Sequence, residues 1–233
     1  MRRDPIVLFD NGTHRCMMFD DLVSGEGVQS NQFLIIDHDQ YLLLDPGGDL
    51  TYVPLTMELS RHIPVQELTY IFASHQDPDI IASLDKWLLH TRAQVICSKL
   101  WARFLPHLTA NYLALSRGIN TYERIIALPD RGQSFAVGRC TLKAVPAHFL
   151  HSVGNFQLYD PLSKILFSGD MGASMLDDSG PVADFAAHVP SMLGFHRRYM
   201  ASNKACRLWA AMVRGMDVET VSYTHLTLPT ICS

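Results

Sequence analysis

Short apolar runs separated by polar turns dominate the hydrophobic pattern of this chain. Runs rich in β-branched and aromatic residues predict strands at 6–9, 32–37, 41–45, 70–73, 94–97, 124–128, 133–137, 141–145, 156–159, 164–167 and 218–223. Apolar positions at helical spacing predict helices at 51–63, 79–90, 98–115, 184–188 and 195–212. This order of elements indicates an α/β fold in which two β-sheets pack face to face and helices flank them, an αββα sandwich.

Composition narrows the class of protein. The chain has 233 residues, of which 48% are hydrophobic and 18% charged, so it can bury a substantial core. No linker rich in Pro, Gly or Ser divides it, and we expect residues 1–233 to form a single domain. The net charge of −4 and the lack of Lys/Arg runs argue against a nucleic-acid partner. The apolar runs are too short to cross a membrane, and no signal peptide is visible, so we expect a cytoplasmic protein.

The cysteines and glycines exclude several kinds of site. The five cysteines are odd in number and widely spaced, at positions 16, 97, 140, 206 and 232. Without a CxxC pair, a structural zinc knuckle is excluded, and a reducing compartment is expected. No Gly-rich phosphate loop is present, so we expect this chain to bind no flavin or nucleotide through such a loop.

Histidine and aspartate concentrate directly after predicted strands. The strand at 70–73 ends in a segment that contains His75, Asp77 and Asp79, and His148 and Asp170 follow two later strands. Buried carboxylates are costly unless a cation or another partner compensates their charge. In an extended loop, residues 75, 77 and 79 point to the same side. The plain alternative is a polar turn that caps the helix beginning at 79.

This donor set predicts a metal site without thiolate. Imidazole combined with hard carboxylates suits iron, manganese or zinc, and a majority of carboxylates is unlike a purely structural zinc site. Three carboxylates also allow one of them to bridge two metal ions.

These motifs resemble the metallo-β-lactamase fold and, within it, the oxygen-binding diiron domain of flavodiiron proteins. The family signature H-x-E-x-D-H is similar to residues 75–80, and its bridging-aspartate segment is similar to 165–170. The family's other two histidine segments are similar to 148–153 and 221–225. The resemblance implies two mixed β-sheets flanked by helices and a ligand set of His75, Asp77, Asp79, His148, Asp170 and His225.

The resemblance also implies roles for these residues. His75, Asp77 and His148 would hold the first iron, Asp79 and His225 the second, and Asp170 would bridge the two. His151 and Asp45 would lie behind the ligands rather than among them, with Asp45 in a structural role.

The sequence departs from the family pattern at several positions. Asp77 stands where the family has Glu, and Ile80 replaces the last histidine of the signature. Leu226 follows the last histidine in place of Gly, and the stretch 223–233 reads as a divergent or non-native tail. The flavodoxin-like domain that accompanies this fold in flavodiiron proteins is not part of this sequence.

Three functions are compatible with these observations. The first is a diiron protein that binds O2 or NO, either as an oxygen sensor or as the diiron component of a reductase. It would depend on an external redox or signalling partner, and the resemblance implies a homodimer. The second is a dinuclear zinc hydrolase of the same fold, although Asp77 occupies the place of that group's second histidine. The third is a degenerate site with a single metal, for which Ile80 is the observation.

Overall fold

The computed structural model describes residues 4–174 and 181–225, with the side chains at 110–114 and 116 left aside. Its strands form two mixed sheets, as predicted. The first sheet contains, in spatial order, β1 (Ile6–Asp10), β2 (His14–Phe19), β3 (Gln32–Asp37), β4 (Gln40–Leu44), β5 (Tyr70–Phe72), β6 (Gln94–Ser98) and β7 (Ile125–Leu128). Neighbouring strands run antiparallel from β1 to β4 and parallel from β4 to β7.

The second sheet lies against the first. Its spatial order is β12 (Thr220–Ser222), β11 (Ile165–Phe167), β10 (Phe156–Asp160), β9 (Cys140–Pro146) and β8 (Gln133–Val137). Only the pair β11 and β12 is parallel. The helices are α1 (Asp49–Leu59), α2 (Pro78–Ile81), α3 (Leu84–His90), α4 (Pro106–Arg117), α5 (Phe185–Tyr199) and α6 (Asn203–Val213). Among the helices described, none has the length and apolar character needed to cross a bilayer.

Hydrophobic packing produces the αββα layers. Between the sheets, Phe33 meets Phe167 with ring centroids 4.9 Å apart, inside a cluster drawn from both sheets. The outer face of the first sheet packs on a second cluster that contains Leu55 of α1 and the fully buried Trp87 of α3. The outer face of the second sheet packs on α6 through Trp209. Each sheet therefore carries buried apolar side chains on both faces, although β1 and β8 at the sheet edges are largely exposed.

Several elements differ from the sequence prediction for local reasons. Strand β2 was not predicted, because its sequence HRCMMF contains no β-branched residue. The helix expected over 79–90 is divided into α2 and α3, and between them the Ser83 hydroxyl donates to the carbonyl of Gly47 at 2.6 Å. The helix expected from 98 begins at Pro106, a residue favoured in the first turn of a helix.

The C-terminal helices also have different bounds. Separate helices were expected at 184–188 and 195–212, whereas α5 is continuous across Pro190 and α6 begins only at Asn203. Asp184 is the N-cap residue of α5, and its side chain accepts from the Ala187 amide; Ser202 caps α6 in the same way through the Ala205 amide. These caps follow the ordinary chemistry of helix N-termini.

A buried ionic triad fastens the two sheets together. The ring nitrogens of His14 on β2 lie 2.8 Å from Asp37 on β3 and 2.8 Å from Asp160 on β10. All three side chains are almost fully buried. Because ionised carboxylates only accept hydrogen bonds, both ring nitrogens must donate, and His14 is an imidazolium. Burial alone would lower the pKa of His14, but the bonds to Asp160 and Asp37 outweigh it and raise the pKa.

We predict that Asp160→Ala strongly destabilises the protein. It leaves the His14 cation buried with one partner, and breaking a buried ion pair in this way costs about 3–5 kcal/mol. Urea unfolding measures the loss. Asp49→Ala is the matched control, because the Asp49–Lys86 ion pair is exposed and should contribute far less. Similar losses in both variants would show that the triad does not hold the sheets.

The same ion pair predicts a pH dependence. Burial opposes ionisation of Asp160, but His14 and Ser163 lower its pKa from 3.8 to about 2. The stability that ionised Asp160 contributes is therefore complete above pH 3.8 and is lost as the pH falls toward 2. Urea unfolding between pH 5 and 2 should show the wild type losing its advantage over Asp160→Ala in that window.

Candidate metal centre

The first part of the site follows strand β5 of the first sheet. His75 is buried directly beyond the strand end, and the chain stays extended through Asp77 until Pro78 starts α2. The Nε2 atom of His75 lies 3.8 Å from Oδ2 of Asp77. Asp79 lies in the first turn of α2 instead of an extended loop, and it faces His225. His75 and Asp77 therefore point to the same side, as expected for an extended loop. Asp79 does not follow this pattern, because it lies in a helix.

Asp170 lies at the centre of the site. It follows β11 through a turn in which Gly169 adopts φ +58°, a conformation that favours glycine. Its Oδ1 is 3.7 Å from Nε2 of His75 and 3.6 Å from Nε2 of His225, and its Oδ2 is 3.2 Å from Nε2 of His151. Asp170 thus faces three histidines with its two oxygens, although only 3% of its side chain is exposed.

His151, rather than His148, is the histidine that the structure brings to this cluster from the 148–153 segment. The Nε2 atom of His151 lies 3.0 Å from Oδ2 of Asp77. His148 lies elsewhere, with its Nε2 2.7 Å from the carbonyl oxygen of Asp130 and its ring against Phe156. Two expectations are therefore corrected: His148 does not join the cluster, and His151 lies among the cluster residues rather than behind them.

The correction has a local cause. The chain turns sharply after His148, and the Phe149 amide donates to the carbonyl of Ser152 at 2.9 Å. This turn directs position 151 toward Asp170 while His148 faces the loop before β8. Spacing along the sequence could not separate the two histidines, because both follow the same strand.

His225 completes the site at the far side of Asp170. Its Nδ1 donates to the carbonyl of Gln29 at 2.7 Å, which turns Nε2 toward Asp79 Oδ2 at 3.3 Å. The ring is 4% exposed. The tail beyond it, from Leu226, lies outside the described residues.

Unsatisfied buried atoms show that this cluster fits a cation. The Nε2 atom of His75, Oδ2 of Asp79 and Oδ1 of Asp170 are buried without a hydrogen-bond partner among the described residues. Such atoms are rare in folded proteins, because each one costs the free energy of its lost hydration. One ligand atom from each of His75, Asp77, His151 and Asp170 lies within 4.8 Å of the others. Nitrogen and carboxylate oxygen at this spacing suit non-haem iron, manganese or zinc.

A hydrogen-bond chain behind His75 orients its ring. Nδ1 of His75 lies 2.8 Å from the Ser74 hydroxyl, which donates to Oδ2 of Asp45 at 2.8 Å. Asp45 also accepts from the Ser74 amide. Since Asp45 cannot donate when ionised, the chain runs from Nδ1–H outward and leaves Nε2 free to bind a cation. Asp45 lies behind the cluster, and burial raises its pKa to about 6.

A second pair of polar residues holds Asp77, and no sequence signal pointed to it. The Ser152 hydroxyl donates to Oε1 of Gln76 at 2.6 Å, which fixes the amide so that Nε2 donates to Oδ1 of Asp77 at 3.1 Å. The other oxygen of Asp77 faces His75 and His151. This contact orients the Asp77 carboxylate, at a position where the related signature has glutamate.

Electrostatic coupling in the cluster is strong. Burial would raise the pKa of Asp170, but His75, His151 and His225 together hold it well below its ordinary value. Burial would lower the pKa of His151, yet hydrogen bonds to Asp170 and Asp77 raise it to about 10. Asp79 differs, since burial dominates over His225 and raises its pKa. Without a cation, the raised pKa of His151 favours a positive charge on that ring beside Asp170 and Asp77.

Comparison with known proteins identifies a family and a solved structure with the same fold. A family model described as ODP family beta lactamase matches residues 28–225. A solved structure, "Peroxy diiron species of chemotaxis sensor ODP", superposes with a TM-score of 0.83 at 37% identity, covering 97% of this chain and 88% of that one.

More distant relatives support the fold alone. A flavo di-iron protein from Thermotoga maritima aligns with a TM-score of 0.71 at 21% identity, over 97% of this chain and 57% of its own. An uncharacterised protein of Methanocaldococcus jannaschii is 28% identical over 62% of this chain. That alignment spans 34% of the archaeal protein, about a third of its length.

We predict that His151→Ala weakens the binding of the first metal ion by more than about tenfold, since losing even an outer partner of a ligand costs 10- to 100-fold. Titration of the metal-free protein with cobalt(II), followed by absorbance, measures the affinity. His148→Ala is the matched control and should bind cobalt(II) as the wild type does. A loss confined to His148→Ala would restore the sequence-based assignment.

Proposed function

The chain belongs to the family described as ODP family beta lactamase, and from this premise we propose that it is a non-haem diiron protein that binds O2 as an oxygen sensor. The observation that carries the proposal is the position of Asp170, buried between three histidines with one oxygen left without a hydrogen bond. A carboxylate so placed suits a bridge between two cations.

The described residues divide into two ligand groups that share Asp170. His75, Asp77 and His151 would hold the first iron, and Asp79 and His225 the second. Two ferrous ions bound there would supply two electrons and open coordination positions for O2 or NO. The protein itself orients His75 through the hydrogen bonds of Ser74 and Asp45 behind its ring.

The sensor role is supported by the similarity to the chemotaxis sensor, which extends over nearly all of both chains. Use of the same centre in a reductase is the second role, and it would require an external electron donor. The two roles differ in turnover. A sensor should consume about one O2 per centre and stop, whereas a reductase given reduced flavin or rubredoxin should consume O2 continuously.

The zinc hydrolase alternative receives less support. In that group a second imidazole stands where this chain has Asp77, and the family to which the chain belongs is related to a diiron sensor. We also propose that the protein works in a reducing cytoplasm, where the buried thiols of Cys16, Cys97 and Cys140 remain free.

Metal analysis of protein purified without oxygen tests the proposal. We expect about two irons per chain and a new near-ultraviolet to visible absorption band when air is admitted. The band reports charge transfer to ferric iron, which zinc cannot produce because it has no accessible redox chemistry. Two zinc ions and an unchanged spectrum would support a hydrolase instead.

The shared ligand predicts how metal is lost. Asp170→Asn keeps the size of the side chain but removes its charge, so occupancy should fall at both positions together. Asp79→Asn is the matched variant and should empty only the second position. Iron counts after mild chelation distinguish these outcomes. If Asp170→Asn still holds two tightly bound irons, the shared role is wrong.

A further inference from the structure

The charges of the chain are segregated in a way that the metal site does not explain. Residues 185–216, which contain α5 and α6, have no Asp or Glu and carry five cations: Arg197, Arg198, Lys204, Arg207 and Arg214. The rest of the chain has 14 Lys and Arg against 23 Asp and Glu, a net charge of −9. All five cations are exposed, and none has a carboxylate within ion-pair distance in the part of the chain that the structure describes.

Apolar side chains lie among these cations on the surface. Leu193 and Tyr199 of α5 are 39% and 43% exposed, and Leu208 and Met212 of α6 are 64% and 38% exposed. The inner side of α6 contacts the second sheet through Trp209 and is not available to a partner. The outer surface of residues 185–216, here called the basic face, therefore combines exposed apolar area with positive charge that no carboxylate pairs within 4–174 and 181–225.

Helix α5 connects the basic face to the metal centre at three points. The rings of Phe195 and Tyr199 pack edge-on against His151, with centroids 6.3 and 5.7 Å away. Nε2 of His196 accepts from the Gly172 amide at 3.1 Å, two residues after Asp170. Tyr223 is two residues before His225, and its hydroxyl lies 3.2 Å from Nε2 of His188 on α5. Helix α5 therefore contacts one candidate ligand, His151, and the segments next to Asp170 and His225, through which a shift of the centre could reach it.

We propose that the basic face is the output surface of the protein and binds an acidic, amphipathic segment of a partner protein. The inference rests on the proposed sensor function. Arg, Tyr and Met are the residues that protein interfaces favour, and opposite charge on the partner would speed and orient docking. A membrane-bound helix would need a continuous apolar face, but Trp209 of α6 packs against the second sheet and is not available to such a face. The apolar residues between the cations also distinguish this surface from a phosphate-binding stripe.

The test uses the iron-loaded protein and a synthetic helical peptide with glutamates on one face and leucines on the other. Fluorescence anisotropy at physiological salt measures its affinity. Arg207→Glu combined with Arg214→Glu should weaken binding about tenfold or more, since reversing two charges removes several ion pairs. Arg92→Glu combined with Arg117→Glu makes the same change in net charge away from the basic face and should alter the affinity less than about twofold.

Oxygen should change the affinity of the wild type. Because α5 contacts the ligand residues, we expect the peptide affinity to differ about fivefold between anaerobic and oxygenated protein, a usual size for coupling between sites. Equal affinity in both states would overturn the output role. Iron content and the oxygen-induced spectrum of the same samples report separately on the diiron function, so a failure of either proposal can be recognised.

Other outcomes would overturn the choice of partner. Equal weakening by both double variants would show that the peptide senses net charge alone. Tighter binding of duplex DNA, or of vesicles of phosphatidylserine and phosphatidylcholine, would assign the basic face to another class of ligand. Self-association that the Arg207→Glu, Arg214→Glu variant abolishes would show that a second copy of the chain occupies it.

Discussion

The burial of the Asp170 carboxylate is the constraint on which the site depends. A buried charge must be compensated, and the fold surrounds this one with His75, His151 and His225, which come from three distant segments. The compensation by protein alone is incomplete, since atoms of His75, Asp79 and Asp170 remain without hydrogen bonds. The strand ends, the turn at Gly169 and the contact of His225 with Gln29 all hold this arrangement, which a bound cation would complete.

The molecule contains a second buried cluster of histidine and carboxylate, and in this one the histidine nitrogens are fully hydrogen-bonded. His14, Cys140 and Asp160 also lie within metal-ligand distance of one another. There, however, both nitrogens of His14 are satisfied by Asp37 and Asp160, and the cluster joins the two sheets. Similar residue types therefore hold the fold at one end of the sandwich and are left open for ligands at the other. The state of the hydrogen bonds, rather than the composition, separates the two roles.

Few contacts among the described residues link the basic face to the metal centre. Helix α5 has one buried residue, Phe195, and that residue lies against His151. A helix anchored so lightly costs little free energy to move, which is the property expected of an element that responds to a ligand.

The sequence by itself determined the two-sheet sandwich, all of its described strands except β2, and most of the residues gathered at the site. Strands of period two and buried aspartates after strands are local signals, because hydrophobic burial and carboxylate desolvation act on each segment separately. Tertiary structure alone decided which of two nearby histidines enters the site, since the turn at 149–152 directs His151 inward and leaves His148 on Asp130. It also decided the partners of Asp79, the support of Asp77 by Gln76 and the contact of α5 with His151. These depend on distances between segments far apart in the chain, which only the packed sheets establish.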